Sequence, residues 1–274
     1  MPAMPATGPA TRQYLLRLAN GTPEEYAVRH LGPALVRLEA SCAIGPWYFE
    51  RGADTWTLVC ESAPLPGFAN EDPEREVLDL CLAAGMIAGW TPTAYRPYTY
   101  CAGGTAGLPA ARRWRHLDSR QVLTYLRVDR VADRRDDLFV VHGEAAMAGA
   151  GLDRQGIAAT WGQIASTAPG GLWPAVPDDL VHTVGALLPT TADAQAALDC
   201  EPPLPDAWTV VHADYGRALA DLHEQGLLWG GRHTVLAAQL LGHADRLGVA
   251  DPARLAAAAA TAALGLTART GALR

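Results

Sequence analysis

Three side chains suited to proton transfer recur at intervals of three residues within segment 207–228: Thr209, His212 and Tyr215. On a helix, each step of three residues turns about 60° backwards, so these groups would span roughly 120° of one face and rise about 9 Å. A hydroxyl, an imidazole and a phenol placed in this way can donate and accept protons at a bound substrate. They can equally be polar residues satisfied within a core, and spacing alone leaves both interpretations open.

The segment that carries these groups has the sequence features of a long helix. Asp206 can cap the first turn and Gly226 can end the last one. Apolar side chains recur at helical spacing between Val211 and Leu222, which predicts one buried face. The three polar groups lie on or beside that face, where a half-buried site could form.

The remaining elements predict the fold class. Strand and helix patterns alternate up to residue 100, and helical periodicity dominates from residue 118 onward. The predicted strands are 13–18, 43–51, 55–61 and 90–100, and the predicted helices are 22–39, 72–87, 118–131, 136–149, 154–166, 178–187, 191–198, 207–225, 231–247 and 251–264. This order predicts an α+β protein with an antiparallel sheet in its N-terminal half and a mostly helical C-terminal half. Residues 1–11 are predicted to be a disordered tail and 12–274 a single domain.

Composition removes several classes of protein. The net charge of −7 argues against nucleic-acid binding. The sequence contains no lysine, which excludes Schiff-base chemistry and the lysine of a P-loop. The glycines Gly103, Gly104 and Gly107 are therefore interpreted as a tight turn with positive φ and not as a phosphate-binding loop. The five scattered cysteines and the lack of a signal peptide or long apolar run lead us to expect a cytoplasmic protein without a membrane partner. The oligomeric state is left open.

Other catalytic motifs are absent or weak. The eight histidines form no HExxH or HxxxH pair. His212 and His223 would lie about 16 Å apart on one helix, so no metal site is expected. No serine lies in a GxSxG motif, and Ser119, which follows Asp118 at a predicted helix start, is expected to cap that helix. Any chemistry is therefore expected to be acid–base catalysis or peptide positioning without a metal or cofactor.

Segment Tyr95–Ser119, YRPYTYCAGGTAGLPAARRWRHLDS, resembles the signature YEPExxRYGG followed by Phe-His-x-Asp-Ser. This signature belongs to the thiopeptide-type bacteriocin biosynthesis family, the C-terminal or elimination domains of lantibiotic dehydratases. The residues in register are Tyr95, Pro97, Gly103, Gly104, His116, Asp118 and Ser119. Segment 47–54 resembles the family's Phe-Phe-x-Arg-Tyr-x-Asp strand, and 211–217 resembles its His-Met-x-x-Asn-Arg helix. The resemblance implies the family's α+β fold over nearly the whole chain.

The sequence departs from this family at positions that bind glutamate. Elimination domains remove glutamate from glutamylated Ser or Thr, and they hold its carboxylate with arginines. The family's His-Leu-Arg-Leu-Arg strand corresponds here to Thr55–Cys60, which contains no arginine. The arginine of RYGG is replaced by Cys101, and the last glutamate of YEPE by Tyr98. Since carboxylate recognition needs fixed cationic forks, these departures disfavour glutamate elimination.

The sequence retains His212 but lacks these arginines, and in this combination it resembles the stand-alone pyridine synthases of thiopeptide biosynthesis. These enzymes perform a formal [4+2] aza-cycloaddition between two dehydroalanines of a ribosomally made precursor peptide. Loss of water and of the leader peptide then gives a pyridine ring, and no cofactor is needed. The partner implied by the resemblance is therefore a precursor peptide with a leader and a dehydroalanine-containing core.

This chemistry suggests roles for the residues of segment 207–228. We expect Tyr215 to hydrogen-bond or protonate the reacting carbonyl, His212 to act as acid and base in the eliminations, and Thr209 to orient the substrate amide. The residues expected to bind the substrate are Asp214, Tyr95, Tyr98, Glu76 and Arg217.

Recognition of the leader is expected in the N-terminal half, through strand addition or a hydrophobic groove. Arg112, Arg113 and Arg115 either pair with an acidic leader or form a solvated helix face. Two alternatives to the synthase stay open. One is a glutamate-elimination partner of a split dehydratase, with arginines such as Arg96 or Arg127 in the binding role. The other is a non-catalytic scaffold that binds the precursor peptide.

Overall fold

The computed structural model describes residues 10–19, 23–52, 55–62, 72–128, 133–171, 173–188 and 206–271. Most of the predicted tail, the hairpin-turn residues Ala53 and Asp54, and the predicted helix 191–198 lie outside the described residues. Contacts divide the chain into two compact units: unit 1 comprises Met1–Pro97 and Arg115–Arg130, and unit 2 comprises Tyr98–Trp114 and Val131–Arg274. The single domain expected from the sequence stays a prediction.

Unit 1 is built around a four-stranded antiparallel sheet in the order β2-β3-β1-β4. The strands are β1 (Thr11–Leu18), β2 (Ile44–Arg51), β3 (Thr55–Ser62) and β4 (Ile87–Thr93). The helices are α1 (Pro23–Tyr26), α2 (Gly32–Ala40) and α3 (Pro73–Ala83), and α4 (Leu108–Arg127) contributes residues to both units. The predicted hairpin is confirmed, because Tyr48 pairs with Val59 and Phe49 with Leu58.

Two predicted boundaries in unit 1 are wrong for identifiable reasons. Strand β4 ends at Thr93 rather than at residue 100, because Thr93 pairs with Gln13, close to the start of β1, so the strand runs out of partners. The predicted helix 22–39 is interrupted by a π-helical turn, Ala27–Leu31, in which the N–H of Gly32 donates to the oxygen of Ala27. Pro33 follows at once and lacks an N–H of its own, so the widened turn lies where regular hydrogen bonding fails.

Helix α4 begins at Leu108 instead of residue 118. Pro109 is tolerated in the first turn of a helix, where its missing N–H has no partner in any case. Ser119 therefore lies in mid-helix and the predicted capping role is wrong. Its Oγ accepts a hydrogen bond from the N–H of Phe49 at 3.3 Å. The serine thus satisfies a backbone donor of β2, which is an edge strand of the sheet.

His116 supports the same edge strand. Its Nδ1 lies 3.2 Å from the nitrogen and 2.9 Å from the oxygen of Trp47, and which of the two it bonds depends on the tautomer. Its Nε2 lies 3.1 Å from Glu39, which also accepts from the indole of Trp47. The His-x-Asp-Ser segment of the signature therefore holds β2 in place within unit 1.

Unit 2 is helical. Its helices after α4 are α5 (Arg135–Gly149), α6 (Arg154–Ala165), α7 (Asp178–Leu187), α8 (Asp206–Glu224), α9 (Gly231–Leu247) and α10 (Pro252–Gly271). Helices α5 and α8 approach closely: a Cβ on Gly149 would overlap the backbone of Ala213, and one on Gly216 the backbone of Ala146. Together with the sheet of unit 1, these helices confirm the predicted α+β class. Within the described ranges, none of the helices combines the length with the apolar character that crossing a bilayer requires.

Candidate functional site

Helix α8 is the helix predicted to carry the proton-transfer residues, and it ends where the sequence predicts. The helix ends at Glu224, and Gly226 follows with a φ of 69°. The N–H of Gly226 donates to His223 at 3.0 Å, and that of Leu227 donates to Leu222 at 2.9 Å. Gly226 can adopt this left-handed conformation without a clash, so it turns the chain away from the helix axis.

The predicted catalytic residues differ in how deeply they are buried. His212 is fully buried and Tyr215 is 4% exposed, whereas Thr209 is half-buried. The ring of Tyr215 stacks on the indole of Trp114 with centroids 4.9 Å apart, and the imidazole of His212 meets the same indole edge-on at 5.4 Å. One tryptophan therefore fixes both the phenol and the imidazole.

Two further histidines, which the sequence reasoning missed, surround His212. His142 on α5 and His243 on α9 form with it a histidine cluster in which every residue is 0% exposed. Each residue contributes a ligand nitrogen, and these nitrogens lie within 4.8 Å of one another. His142 Nδ1 is 3.2 Å from His243 Nε2, and the ring of His212 lies 4.3 Å from that of His142 and 4.5 Å from that of His243. Imidazoles so close together can share protons or bind a metal ion.

Aromatic side chains and one arginine enclose the histidine cluster. Trp208, which is fully buried, lies 4.4 Å from His142 between ring centroids, and Phe139 lies 6.5 Å from His243. Arg246 is also buried, and its guanidinium lies 4.9 Å from the ring of Trp114. A cation over an indole face is stabilised by the ring's quadrupole, which offsets part of the cost of its burial.

The glycine loop of the signature is a tight turn, and the predicted positive φ is confirmed for two of its glycines but is wrong for Gly107, where glycine is needed instead because a Cβ would overlap the oxygen of Ala102. Gly103 and Gly104 have φ values of 79° and 93°. A Cβ on Gly104 would lie 2.9 Å from the ring of Trp229, and the backbone N–H of Trp229 donates to the oxygen of Gly103 at 2.9 Å. Gln239 on α9 donates from its side chain to the oxygen of Cys101 at 2.7 Å. The loop is thus attached to the helix that carries His243 one turn further on.

Aromatic side chains project from this loop and its neighbour. Tyr98, Tyr100 and Trp229 are 69%, 62% and 59% exposed. The phenol of Tyr100 would lie 3.6 Å from a Cβ on Gly230, next to Trp229. We call these three residues the aromatic loop surface. Exposed aromatic groups with an apolar body and a polar tip are typical of binding surfaces.

The other predicted substrate-binding residues are placed separately. Asp214 and Arg217 are exposed on α8, where they form an ion pair with each other. Glu76 is exposed on α3, and Tyr95 is half-buried after β4, both in unit 1. The roles assigned to these residues from the sequence stay predictions.

Three arginines near the sheet of unit 1 are paired with carboxylates of the protein itself. Arg12 lies 2.8 Å from Asp72 and 3.1 Å from Glu74. Glu74 is fully buried and also accepts a hydrogen bond from the phenol of Tyr14 at 2.8 Å. Burial, followed by this hydrogen bond, raises the pKa of Tyr14.

The same pairing holds for two more arginines of unit 1. Arg51 lies 2.5 Å from Glu24. Arg115 lies 3.5 Å from Glu50 and 5.5 Å from the ring of Tyr48. Arg115 is buried, so the expectation of a solvated helix face is wrong for this residue.

No protein-family model matches this sequence, and no curated protein matches it. Solved structures with a similar fold include the following two. The tRNA-dependent lantibiotic dehydratase MibB from Microbispora sp. 107891 is 17% identical, with a TM-score of 0.72 over 98% of this chain and 29% of that chain. The pyridine synthase TbtD from thiomuracin biosynthesis is 16% identical, with a TM-score of 0.59 over 94% of this chain and 99% of that chain. The present chain thus spans 29% of the length of the dehydratase. These likenesses confirm, at the level of the fold, the resemblance predicted from the sequence: the chain has a lantibiotic dehydratase-like fold, which it shares with a pyridine synthase.

Proposed function

We propose that this protein is an enzyme that modifies a ribosomally made precursor peptide, and that it closes a pyridine ring between two dehydroalanines. One dehydroalanine and its preceding carbonyl react as an iminol azadiene, and two carbon–carbon bonds form to the second alkene. Loss of water and release of the leader peptide as an amide then make the ring aromatic, so that no oxidant is required. The two solved structures compared above are named as a lantibiotic dehydratase and as a pyridine synthase from thiomuracin biosynthesis, which supports a peptide substrate.

The observation that carries this proposal is the state of the arginines near the sheet. A glutamate-elimination site requires arginine forks that are available to the substrate carboxylate. Strand β3, where the elimination family has its arginine run, carries only uncharged side chains and Glu61. Arg12, Arg51 and Arg115 are occupied by carboxylates of the protein. The lack of arginine on β3 and the pairing of these three arginines count against glutamate elimination, while the exposed Arg96 and Arg127 leave that alternative to the mass-spectrometric test below.

The proposed catalytic groups lie on α8. We assign Tyr215 to the reacting carbonyl, because a phenol can donate a hydrogen bond to a carbonyl oxygen and its ring is fixed by stacking on Trp114. His212, which is fully buried, is assigned as the acid and base of the two eliminations. Thr209 orients the substrate amide, and no cofactor takes part.

The aromatic loop surface is the proposed contact for the core of the peptide. Tyr98, Tyr100 and Trp229 offer flat, exposed rings against which planar dehydroamino acids can stack. Asp214, Arg217, Tyr95 and Glu76 are proposed to hold polar groups of the same peptide. Bringing two distant alkenes together is largely an entropic task, so binding surfaces of this kind supply much of the rate.

Burial of the α8 groups also favours a second candidate function. His212 at 0% and Tyr215 at 4% exposure are poorly accessible to a peptide in this conformation, as expected of a non-catalytic protein that only binds the precursor. Mass spectrometry of a dehydroalanine-containing precursor peptide separates the candidates. Loss of the leader with formation of a ring product supports the synthase, and loss of glutamate from a glutamylated peptide supports elimination. Tight binding without any change in mass supports the scaffold.

A further inference from the structure

We propose that the histidine cluster of unit 2 binds one divalent transition-metal ion, with Zn²⁺ as the best fit. The ligands are His142, His212 and His243, which come from three different helices. This inference goes beyond the proposed function, which uses no metal, and it can be tested without a peptide substrate.

The number and type of ligands match a zinc site. Three histidines with a fourth position left for water are a recurrent zinc environment, and imidazole suits zinc and its neighbours in the first transition row. Two nitrogens bound tetrahedrally at roughly 2.0–2.1 Å lie about 3.3 Å from each other. The separation of 3.2 Å between His142 Nδ1 and His243 Nε2 is already close to this value. The third nitrogen is within 4.8 Å of both.

One ring must turn for the site to close. The rings of His142 and His212 are stacked, with 10° between their planes and 4.3 Å between their centroids. Imidazole lone pairs lie in the ring plane, so two stacked rings cannot direct them at one ion. Binding therefore includes rotation of the His212 ring out of the stack, towards His243, whose ring already lies at 65° to it. The metal-bound state thus differs from the present one by a side-chain rotation within a backbone set by three packed helices.

The charge around the cluster predicts the fourth ligand. Arg246 is buried one turn after His243 on α9, so a divalent ion would add to a cation already present. Glu144, the buried carboxylate two residues after His142, is bonded to the indole of Trp161 at 2.8 Å and lies 3.5 Å from Arg154. An anionic fourth ligand, such as hydroxide or chloride, would offset the excess of positive charge.

Metal binding would also change the chemistry open to His212. Coordination occupies the nitrogen lone pair that acid–base catalysis uses, so the metal-bound and metal-free proteins would differ in the elimination steps. Substitution of His142 or His243 distinguishes metal binding from acid–base catalysis by His212. Either substitution removes a metal ligand and leaves the imidazole of His212 in place.

The test uses the full chain after a chelator has removed any bound metal. Binding of Zn²⁺ is then measured by calorimetry, and binding of Co²⁺ by visible absorption. We expect one ion per chain and an intense ligand-field spectrum typical of tetrahedral cobalt. The affinity for the metal ion should fall by more than about 100-fold in His142→Gln, His212→Gln and His243→Gln. This exceeds the roughly 10–100-fold loss that is typical when residues that support the metal ligands are substituted. The matched controls His182→Gln and His223→Gln replace exposed histidines of the same unit and should bind as tightly as the unaltered protein.

Imidazole NMR of the unaltered protein covers the case in which a variant fails to fold. Added Zn²⁺ should shift the ring resonances of the three cluster histidines together, with one ion saturating all three. The proposal is overturned if the folded protein binds neither ion. It is also overturned if only the exposed histidines shift, or if the folded cluster variants bind as tightly as the unaltered protein.

Discussion

The phenol of Tyr215 stacks on the indole of Trp114, with ring centroids 4.9 Å apart and 20° between the planes. His212 lies edge-on to the same indole, at 5.4 Å and 87°. The relative position of these two acid–base candidates is therefore set by shared packing on a third residue. A substitution that removes only the hydroxyl of Tyr215 should leave this packing intact.

We expect Tyr215→Phe to keep the fold and to slow ring formation by about 100-fold or more, since general acid–base groups typically contribute 10²–10⁴-fold. Because the ring and its stacking on Trp114 are kept, the variant should still unfold cooperatively and at a similar denaturant concentration. Chromatography with mass detection gives the rate, and denaturant unfolding gives the stability. Tyr26→Phe, which removes the hydroxyl of another buried tyrosine, should leave the rate unchanged. An unaltered yield of macrocycle in Tyr215→Phe would remove Tyr215 from the mechanism.

The aromatic loop surface should affect binding more than stability. Tyr98→Ala removes an exposed ring, so the melting temperature should change little. If this ring packs against the peptide, its loss should cost about 1–2 kcal/mol and raise the dissociation constant of the precursor roughly 5–30-fold. Trp173→Ala removes an exposed ring elsewhere in unit 2 and serves as the control in the same fluorescence titration. Equal effects of the two substitutions would argue against a specific contact at Tyr98.

Ser119 belongs to the signature, yet its position indicates a structural role. Ser119→Ala leaves the N–H of Phe49 without its hydroxyl acceptor, which should lower the free energy of unfolding by about 1–3 kcal/mol. Ser41→Ala, at an exposed serine, should change it by less than about 0.5 kcal/mol. Urea unfolding measures both. If Ser119→Ala instead abolished ring formation at full stability, a catalytic role would replace the structural one.

The pH dependence of stability should report on Glu144. Burial raises the pKa of its carboxyl above the ordinary value of 4.5, although the indole of Trp161 and then Arg154 act in the opposite direction. The folded state therefore binds this proton more tightly than the unfolded state does. Its contribution to stability is complete below about pH 4.5 and is lost as the pH rises through the raised pKa.

We expect Glu144→Gln to remove this component, because glutamine carries no titrating proton and can still accept from Trp161. The difference in unfolding free energy between the variant and the unaltered protein should shift in favour of the variant as the pH rises from 4 to 8. Glu76→Gln, at an exposed glutamate, should show no such trend. A difference independent of pH would mean that Glu144 has the same pKa in both states.

Local chemistry explains which parts of the molecule the sequence could predict. The left-handed turns at Gly103, Gly104 and Gly226 were predictable, since glycine adopts positive φ without a steric penalty. The start of α4 was not, because an Asp-Ser pair imitates a cap in mid-helix and Pro109 imitates a break where the helix begins.

The histidine cluster could not be found by spacing within one segment. Its members come from α5, α8 and α9 and meet only when the helices pack. A signal nevertheless existed in the sequence. His142 interrupts the apolar run of α5, and His243 lies between Leu240 and Leu247 on the buried face of α9. A polar residue at a core position of each helix was a reason to look for partners across helices.

The mass of the leader fragment tests the central claim most directly. A precursor peptide with two dehydroalanines is incubated with the protein, and the released leader is analysed by tandem mass spectrometry. Ring formation predicts a leader that ends in a carboxamide, in amounts equal to a macrocycle that has lost the leader and one water. A leader released as a free acid, or a peptide of unchanged mass in the presence of folded protein, would contradict the assignment as a pyridine-forming enzyme.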